Sequence, residues 1–171
     1  MSVIDDFDNI LKHGLRPNRF RLILTLPDGV TGDTRSLSLM VKATNVPSME
    51  TGVVEVNYKG KVRKYSGDER PAGDWTCTAY LNMGGDIAVA KKVAEQWQKV
   101  AFASKDPQTY KSTGYLEVLH PDQNNDSSVL SYEIQGIWCS NSGELSLGDD
   151  ETDSLIEFDL VLNFDEVKIN H

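Results

Sequence analysis

Apolar and polar residues alternate along most of this chain, which is the pattern of β-strands that bury one face and expose the other. The clearest run lies at residues 156–164, where every second side chain is apolar: Ile156, Phe158, Leu160, Leu162 and Phe164. Glu157 and Asp159 occupy polar positions between them, and Asp165 continues that polar face. This run predicts a strand with one buried apolar face and one exposed acidic face.

Shorter runs of the same period predict further strands at residues 20–26, 37–43, 53–58, 62–65, 75–81, 115–119 and 130–139. The pair Lys59-Gly60 lies between two of these runs and predicts the turn of a β-hairpin. The turn residues Pro27-Asp28-Gly29 end the first run.

Two stretches follow the helical period instead. Val3, Phe7, Ile10 and Leu11 predict a short amphipathic helix at about residues 3–12, and we expect its apolar stripe to dock on another surface because so short a helix is unstable alone. A longer helix is predicted at about 87–103, with Trp97 on its apolar stripe. Eight strands and one major helix without strand–helix alternation predict a mainly β fold (all-β or α+β). We expect a two-sheet antiparallel sandwich or barrel with one flanking helix, in one domain over residues 1–171 whose sandwich spans 20–165.

The charge of the chain is unevenly placed. The 171 residues carry a formal net charge of −9, and residues 130–171 hold ten acidic residues against Lys168 alone. An acidic chain lacks the clustered cations that nucleic-acid binding requires. No apolar run reaches the roughly 18 residues of a membrane span, and the first residues lack the features of a secretion signal. We therefore expect synthesis in the cytoplasm and no membrane anchor.

Residues with catalytic or metal-binding potential are scattered. The histidines lack metal-ligand spacing, and Cys77 and Cys139 fit a buried, reduced pair. Asp68 and Asp74 could act as paired carboxylates in glycoside hydrolysis, but turn or ion-pair roles are more common for such residues. The sequence therefore predicts neither an enzyme nor a cofactor.

The predicted hairpin carries a basic cluster, with Lys59, Lys61, Arg63 and Lys64 and no acid between residues 57 and 64. One interpretation is a solvated edge that lysine protects against unwanted strand pairing. The other is a docking element complementary to the acidic C-terminal third of a neighbouring copy. A basic projection and an acidic end are typical of head-to-tail assembly.

Five segments, in this order along the chain, resemble the tail tube proteins of T-even-type contractile-tailed phages. They read GLRPNRF at 14–20, KATNVPS at 42–48, GDER at 67–70 followed by DW at 74–75, GIW at 136–138, and NSGEL at 141–145. The helix with Trp97 and the alternating last strand extend the match over nearly the whole chain. Val46 departs from the leucine usual in the family, and residues 71–73 lack its aromatic residue.

The resemblance implies a structural subunit of a phage tail. Its copies would form hexameric rings that stack into a hollow tube, with strands of all six lining the bore. The tail sheath, the tape-measure protein and the baseplate or tube-initiating proteins would be its partners, and DNA would pass through during ejection without specific binding. Tubes of secretion systems and bacteriocins share this fold and are the near alternative. A carbohydrate-binding β-sandwich that uses Trp75, Trp97 and Trp138 is an alternative of another class.

The resemblance and the hairpin together give two sets of candidate site residues. The subunit-interface candidates are Arg16, Asn18, Val54, Val56, Tyr58, Lys59, Lys61, Arg63, Lys64, Asp68 and Arg70. The candidate bore-lining acids are Glu157, Asp159 and Asp165. Six copies of these acids would repel DNA and let it slide.

Overall fold

The computed structural model describes residues 2–11, 14–32, 38–81, 89–149 and 154–170. Its helices are α1 (Val3–Leu11), α2 (Val89–Ala103) and α3 (Pro107–Tyr110), and residues 38–40 are also helical. Within the described ranges there are nine strands: β1 (Phe20–Leu24), β2 (Val41–Thr44), β3 (Met49–Tyr58), β4 (Lys61–Pro71), β5 (Trp75–Tyr80), β6 (Ser112–Leu119), β7 (Ser128–Asn141), β8 (Glu157–Asn163) and β9 (Glu166–Asn170).

All strand pairs are antiparallel, and seven of the strands belong to one hydrogen-bonded system. Its order is β1-β6-β7-β8-β5-β2, with β9 beside β7. Strands β3 and β4 form a separate two-stranded sheet. This arrangement confirms the prediction of a mainly β fold with antiparallel sheets.

Strand β7 holds the system together because it takes part in two sheets. Its first part pairs with β6 on one edge and β9 on the other, whereas its last residues pair with β8. Between the two parts, Gly136 has a φ of 71° at a register shift opposite β6. Only glycine adopts this backbone without strain, so the bulge lets the strand turn from one sheet into the other.

The core lies between these sheets and α2. Strand β8 buries Phe158, Leu160 and Leu162, and between them Asp159 is exposed and Val161 half-buried, close to the alternation predicted. Trp75 on β5 is fully buried, and its indole N–H donates to the Thr44 hydroxyl at 2.8 Å. A buried indole needs such an acceptor, so this bond fixes β2 beside β5.

Helix α2 covers the core through one stripe that includes Ala90, Val93, Ala94 and Trp97. The Trp97 indole N–H donates to the Tyr110 carbonyl at 2.7 Å, which ties α2 to α3. Lys91 is also buried, and its ammonium donates to the carbonyls of Ser142 and Gly143 at 2.6 Å each. This cation fixes the chain where it leaves β7.

Two features of local structure differ from the predictions. Residues 38–40 are helical, so the strand predicted at 37–43 is present only from Val41, and residue 37 lies outside the described residues. The apolar residues of so short a run fit either period, so the sequence does not determine where the strand begins. Helix α1 forms where predicted and buries no residue, so the surface that its apolar stripe needs is not found among the described residues of its own chain. Strand β9 was not predicted, because its five residues are mostly exposed.

Gly143 is a site where the fold requires glycine. Its φ is 86°, and an added Cβ would meet the backbone carbonyl of Asp159. Gly143→Ala should lower the free energy of unfolding by about 3 kcal/mol or more, because a strained φ adds to a clash with backbone. Urea denaturation checks this. Gly60→Ala is the matched control, since Gly60 has a φ of 76° but open space around it, and should cost only about 1 kcal/mol. Equal losses of unfolding free energy in the two variants would show that the contact with the Asp159 carbonyl adds no cost.

Both cysteines should be inert in the folded protein. Burial raises the pKa of each thiol from 9.0 to about 12. Iodoacetamide at pH 8 should therefore label them only after unfolding in urea. Because the folded pKa values are raised, their stabilising effect is complete below pH 9 and declines between pH 9 and 12, where only the unfolded state ionises. Rapid labelling of the folded protein would contradict this.

Candidate functional site

Strands β3 and β4 form a ribbon that pairs with no other strand among the described residues. Met49 at its base packs against the core, and two hydrogen bonds join its own strand ends there: the Ala72 amide donates to the Ser48 carbonyl at 3.0 Å, and Arg70 donates to Glu50 at 2.7 Å. The ribbon is thus anchored at one end and projects from the body at the other.

A bulge separates the base from the projecting part. Gly52 on β3 lies opposite Gly67 and Asp68 on β4, two residues against one. An added Cβ on Gly67 would lie 3.2 Å from the backbone of Gly52, so the two strands approach closely here. Such a bulge bends and twists a ribbon. We call the part beyond it, residues 53–66, the arm.

The arm has two chemically different faces, because residues that pair across the strands share a face. One face is formed by three cross-strand pairs: Val54 with Tyr65, Val56 with Arg63, and Tyr58 with Lys61. We call it the apolar arm face. It has four apolar or aromatic side chains and two cations, and it carries no acid.

The apolar side chains of this face are exposed, from 45% for Val56 to 66% for Tyr58. The opposite face is closer to neutral, since Glu55 pairs with Lys64 at 3.9 Å. At the tip, Lys59 and Gly60 have φ values of 47° and 76°, and these positive values form a tight hairpin turn. Lys59 lies over the Tyr58 ring at 5.3 Å. An uncovered apolar face with cations is typical of a surface that binds a partner.

The structure brings most interface candidates together on this arm and leaves four elsewhere. Val54, Val56, Tyr58, Lys59, Lys61, Arg63 and Lys64 all lie exposed on it. Asp68 and Arg70 belong to the base, and Arg16 and Asn18 lie exposed in the segment before β1. Sequence reasoning missed Tyr65, whose place opposite Val54 on the apolar arm face depends on the pairing register. Whether these residues contact a second copy stays a prediction.

The three candidate acids are exposed, and each has a partner within the chain. Glu157 accepts from Lys42 at 2.6 Å, and this hydrogen bond raises the Lys42 pKa. Asp159 accepts from the Thr78 hydroxyl at 2.8 Å, and Asp165 from Lys111 at 2.8 Å. Glu157 and Asp159 lie on the outward face of β8 with β5 and β2 beside it. Of these three acids, Asp159 is the one without an ion pair to a described lysine or arginine.

The described residues offer little for catalysis or ligand binding. No cluster of three or more metal-ligating side chains occurs among them. Trp75 and Trp97 are fully buried and cannot stack on a sugar, and Trp138 packs edge-on against Tyr110 at 6.0 Å. Asp68 and Asp74 are exposed. Within the described ranges, no helix is both long and apolar enough to cross a bilayer.

The chain is similar to known tail tube proteins along nearly its full length. No protein-family model matches it. The tail tube protein of Serratia phage KSP90 is 26% identical over an alignment of 176 positions, gaps included. The alignment covers 96% of this chain and 95% of that protein. The tail tube protein gp19 of Enterobacteria phage T4 is 24% identical over 170 residues, covering 95% and 97%. These relatives confirm the resemblance to tail tube proteins of T-even-type phages.

Solved structures of low identity show the same fold. A chain of the sheath–tube complex of an extracellular contractile injection system, PVC, has a TM-score of 0.64 at 10% identity, covering 99% of this chain and 98% of its own. A chain of the anti-feeding prophage baseplate has a TM-score of 0.68 at 9% sequence identity, and the match covers 92% of this chain and 95% of that one. The SPP1 tail tube has a TM-score of 0.54 at 12% sequence identity, and the match covers 92% of this chain and 79% of that one. Together with the relatives, they support a structural tube subunit.

The exposure of the apolar arm face predicts that it contributes little to the stability of one subunit. Changing Val54, Val56 and Tyr58 to threonine keeps strand propensity and should lower the free energy of unfolding by about 1 kcal/mol or less. Leu160→Ala in the core should cost about 3 kcal/mol. Urea denaturation compares the two. A loss in the triple variant as large as in Leu160→Ala would show that the arm packs on the body.

Proposed function

We propose that this chain is the tube subunit of a contractile phage tail, whose copies form hexameric rings that stack into a hollow conduit for DNA ejection. The observation that carries the proposal is similarity to tail tube proteins over 95% or more of the chain. The six-fold number and the passage of DNA come from the family resemblance. The sheath around the tube, the baseplate below it and the tape-measure protein inside it are the partners we propose.

The unpaired strand edges support assembly. Among the described strands, β1 and β2 end the strand order, β9 pairs only with β7, and the ribbon pairs only with itself. Exposed edges of this kind carry free backbone donors and acceptors that invite pairing with other chains. A closed ring of subunits would satisfy these groups and would leave no open edge within the ring.

The outward face of β8 is the surface we propose for the bore. It carries Glu157 and Asp159, and of these two only Glu157 forms an ion pair with a described lysine, Lys42. Six copies would therefore line the bore with one ring of Asp159 carboxylates rather than with a continuous acidic surface. Such a surface has weak repulsion and no cluster of cations, so DNA would slide along it without binding.

An injection-system tube is the second candidate, because chains of two such systems share the fold with TM-scores of 0.64 and 0.68. Their sequence identities of 10% and 9% are far below the 26% and 24% of the phage relatives. The phage tail is therefore the function we favour, and residence in the virion follows from it.

Electron microscopy of the purified protein tests assembly. The wild-type chain, alone or with a baseplate as nucleus, should form rings or tubes of uniform bore. Changing Lys59, Lys61, Arg63 and Lys64 to glutamate should block their growth while leaving circular dichroism unchanged, because these side chains are exposed on the arm.

A matched control changes three exposed lysines elsewhere, Lys92, Lys99 and Lys105, to glutamate. It makes the net charge more negative in the same way and should still assemble. A wild-type chain that stays monomeric under every assembly condition would overturn the proposed function. Normal tubes from the arm variant would exclude the arm from assembly.

A further inference from the structure

Helix α1 presents an apolar face that nothing in the described residues covers. Its five apolar side chains are between 59% and 85% exposed: Val3, Ile4, Phe7, Ile10 and Leu11. A helix of nine residues is marginal in water without packing against a partner. The chain therefore holds a second uncovered apolar element besides the arm.

The acids of α1 border its apolar face. At about 100° per residue, the apolar side chains fall within an arc of about 120°, with Asp6 on one side and Asp8 on the other. Asp5 lies on the far side of the helix, where it accepts from the amide and the hydroxyl of Ser2 at 3.1 and 2.9 Å. No lysine or arginine among the described residues forms an ion pair with Asp6 or Asp8.

The apolar arm face is complementary to this helix in charge and length. It carries Lys61 and Arg63 and no acid, whereas α1 carries three aspartates and no described cation. From Val54 to Tyr58 the strand extends about 13 Å, and α1 is about 12 Å long. The helix can therefore lie along the face with an aspartate beside the cations of β4.

We propose that α1 of one copy packs on the apolar arm face of a second copy, with Asp6 or Asp8 facing Lys61 and Arg63. The inference rests on the proposed tube function and adds the segment that the arm binds. A second copy is the occupant because the fold of one chain leaves both surfaces uncovered. Since the two surfaces differ, the contact is heterologous and can repeat from copy to copy.

Three acids of the C-terminal third are weaker partners for the arm, because cations of their own chain already pair with them. Glu157 pairs with Lys42, Asp165 with Lys111 and Glu166 with Lys168. Breaking these ion pairs would cost free energy, which would offset part of the free energy gained when the same acids pair with the arm cations. Asp6 and Asp8 form no ion pair with a described cation, so pairing them with the arm breaks no described ion pair.

Charge exchange tests the pairing. Asp6→Lys with Asp8→Lys should reduce the assembled fraction about tenfold or more, as should Lys61→Glu with Arg63→Glu. Combining all four changes should restore assembly, because the attraction is reversed rather than removed. The control exchanges Glu95→Lys and Lys99→Glu, two exposed residues of α2 outside both surfaces, and should assemble normally. Sedimentation measures the assembled fraction, and circular dichroism checks folding.

A disulfide reports the contact directly. One chain carries Asp8→Cys, a second chain with a mass tag carries Arg63→Cys, and the mixture is oxidised with diamide. Because the substitutions are on different chains, a mixed dimer on a non-reducing gel forms only between copies. Glu55→Cys in place of Arg63→Cys is the control for the opposite face. Cys77 and Cys139 stay silent because they are buried.

Efficient mixed dimers with Arg63→Cys, few with Glu55→Cys, and rescue in the combined charge variant would support the inference. Equal cross-linking at both positions, normal assembly of the α1 variant, or loss without rescue would overturn it while the tube function stands. If the wild-type chain forms no rings or tubes, the proposed function fails. The cross-link then still decides whether α1 meets the arm.

Discussion

The fold depends on a single strand, β7, that belongs to two sheets at once. Gly136 makes this possible, because its positive φ and bulge turn the strand from pairing with β6 and β9 to pairing with β8. The sheets therefore enclose a core that includes the fully buried Ile134 and Ile137 of β7. The antiparallel strand order, the place of α2 and the outward face of β8 all follow from this shared strand.

A core closed in this way separates stability from function. Trp75, Trp97 and the buried residues of β8 stabilise each subunit, and their polar atoms find partners inside the chain. The arm and α1 keep apolar side chains in water at some cost in free energy, and that cost is removed only when another surface covers them. Such surfaces suit the proposed role of a subunit that binds copies of itself.

The sequence was a good guide wherever one local period determined the structure. The alternation in β8 and the stripe of α2 were visible because burial of one face requires them. The sequence could not show that Lys42 reaches Glu157, 115 residues away, or that Tyr65 lies opposite Val54. Those contacts depend on sheet order and register, which local patterns do not contain. Strand β9 and the helical turn at residues 38–40 were missed because short segments lack a clear period.

Charge that is separated along a chain need not be separated in space. Residues 130–171 contribute the whole net charge of −9, yet Lys42 and Lys111 come from the neutral part of the chain to pair with Glu157 and Asp165. Folding thus pairs some of these acids with cations that are distant along the chain. The basic arm, in contrast, keeps Lys61 and Arg63 without an acid on their own face. The charges available to a partner are therefore those that folding leaves unmatched, and they cannot be read from the total.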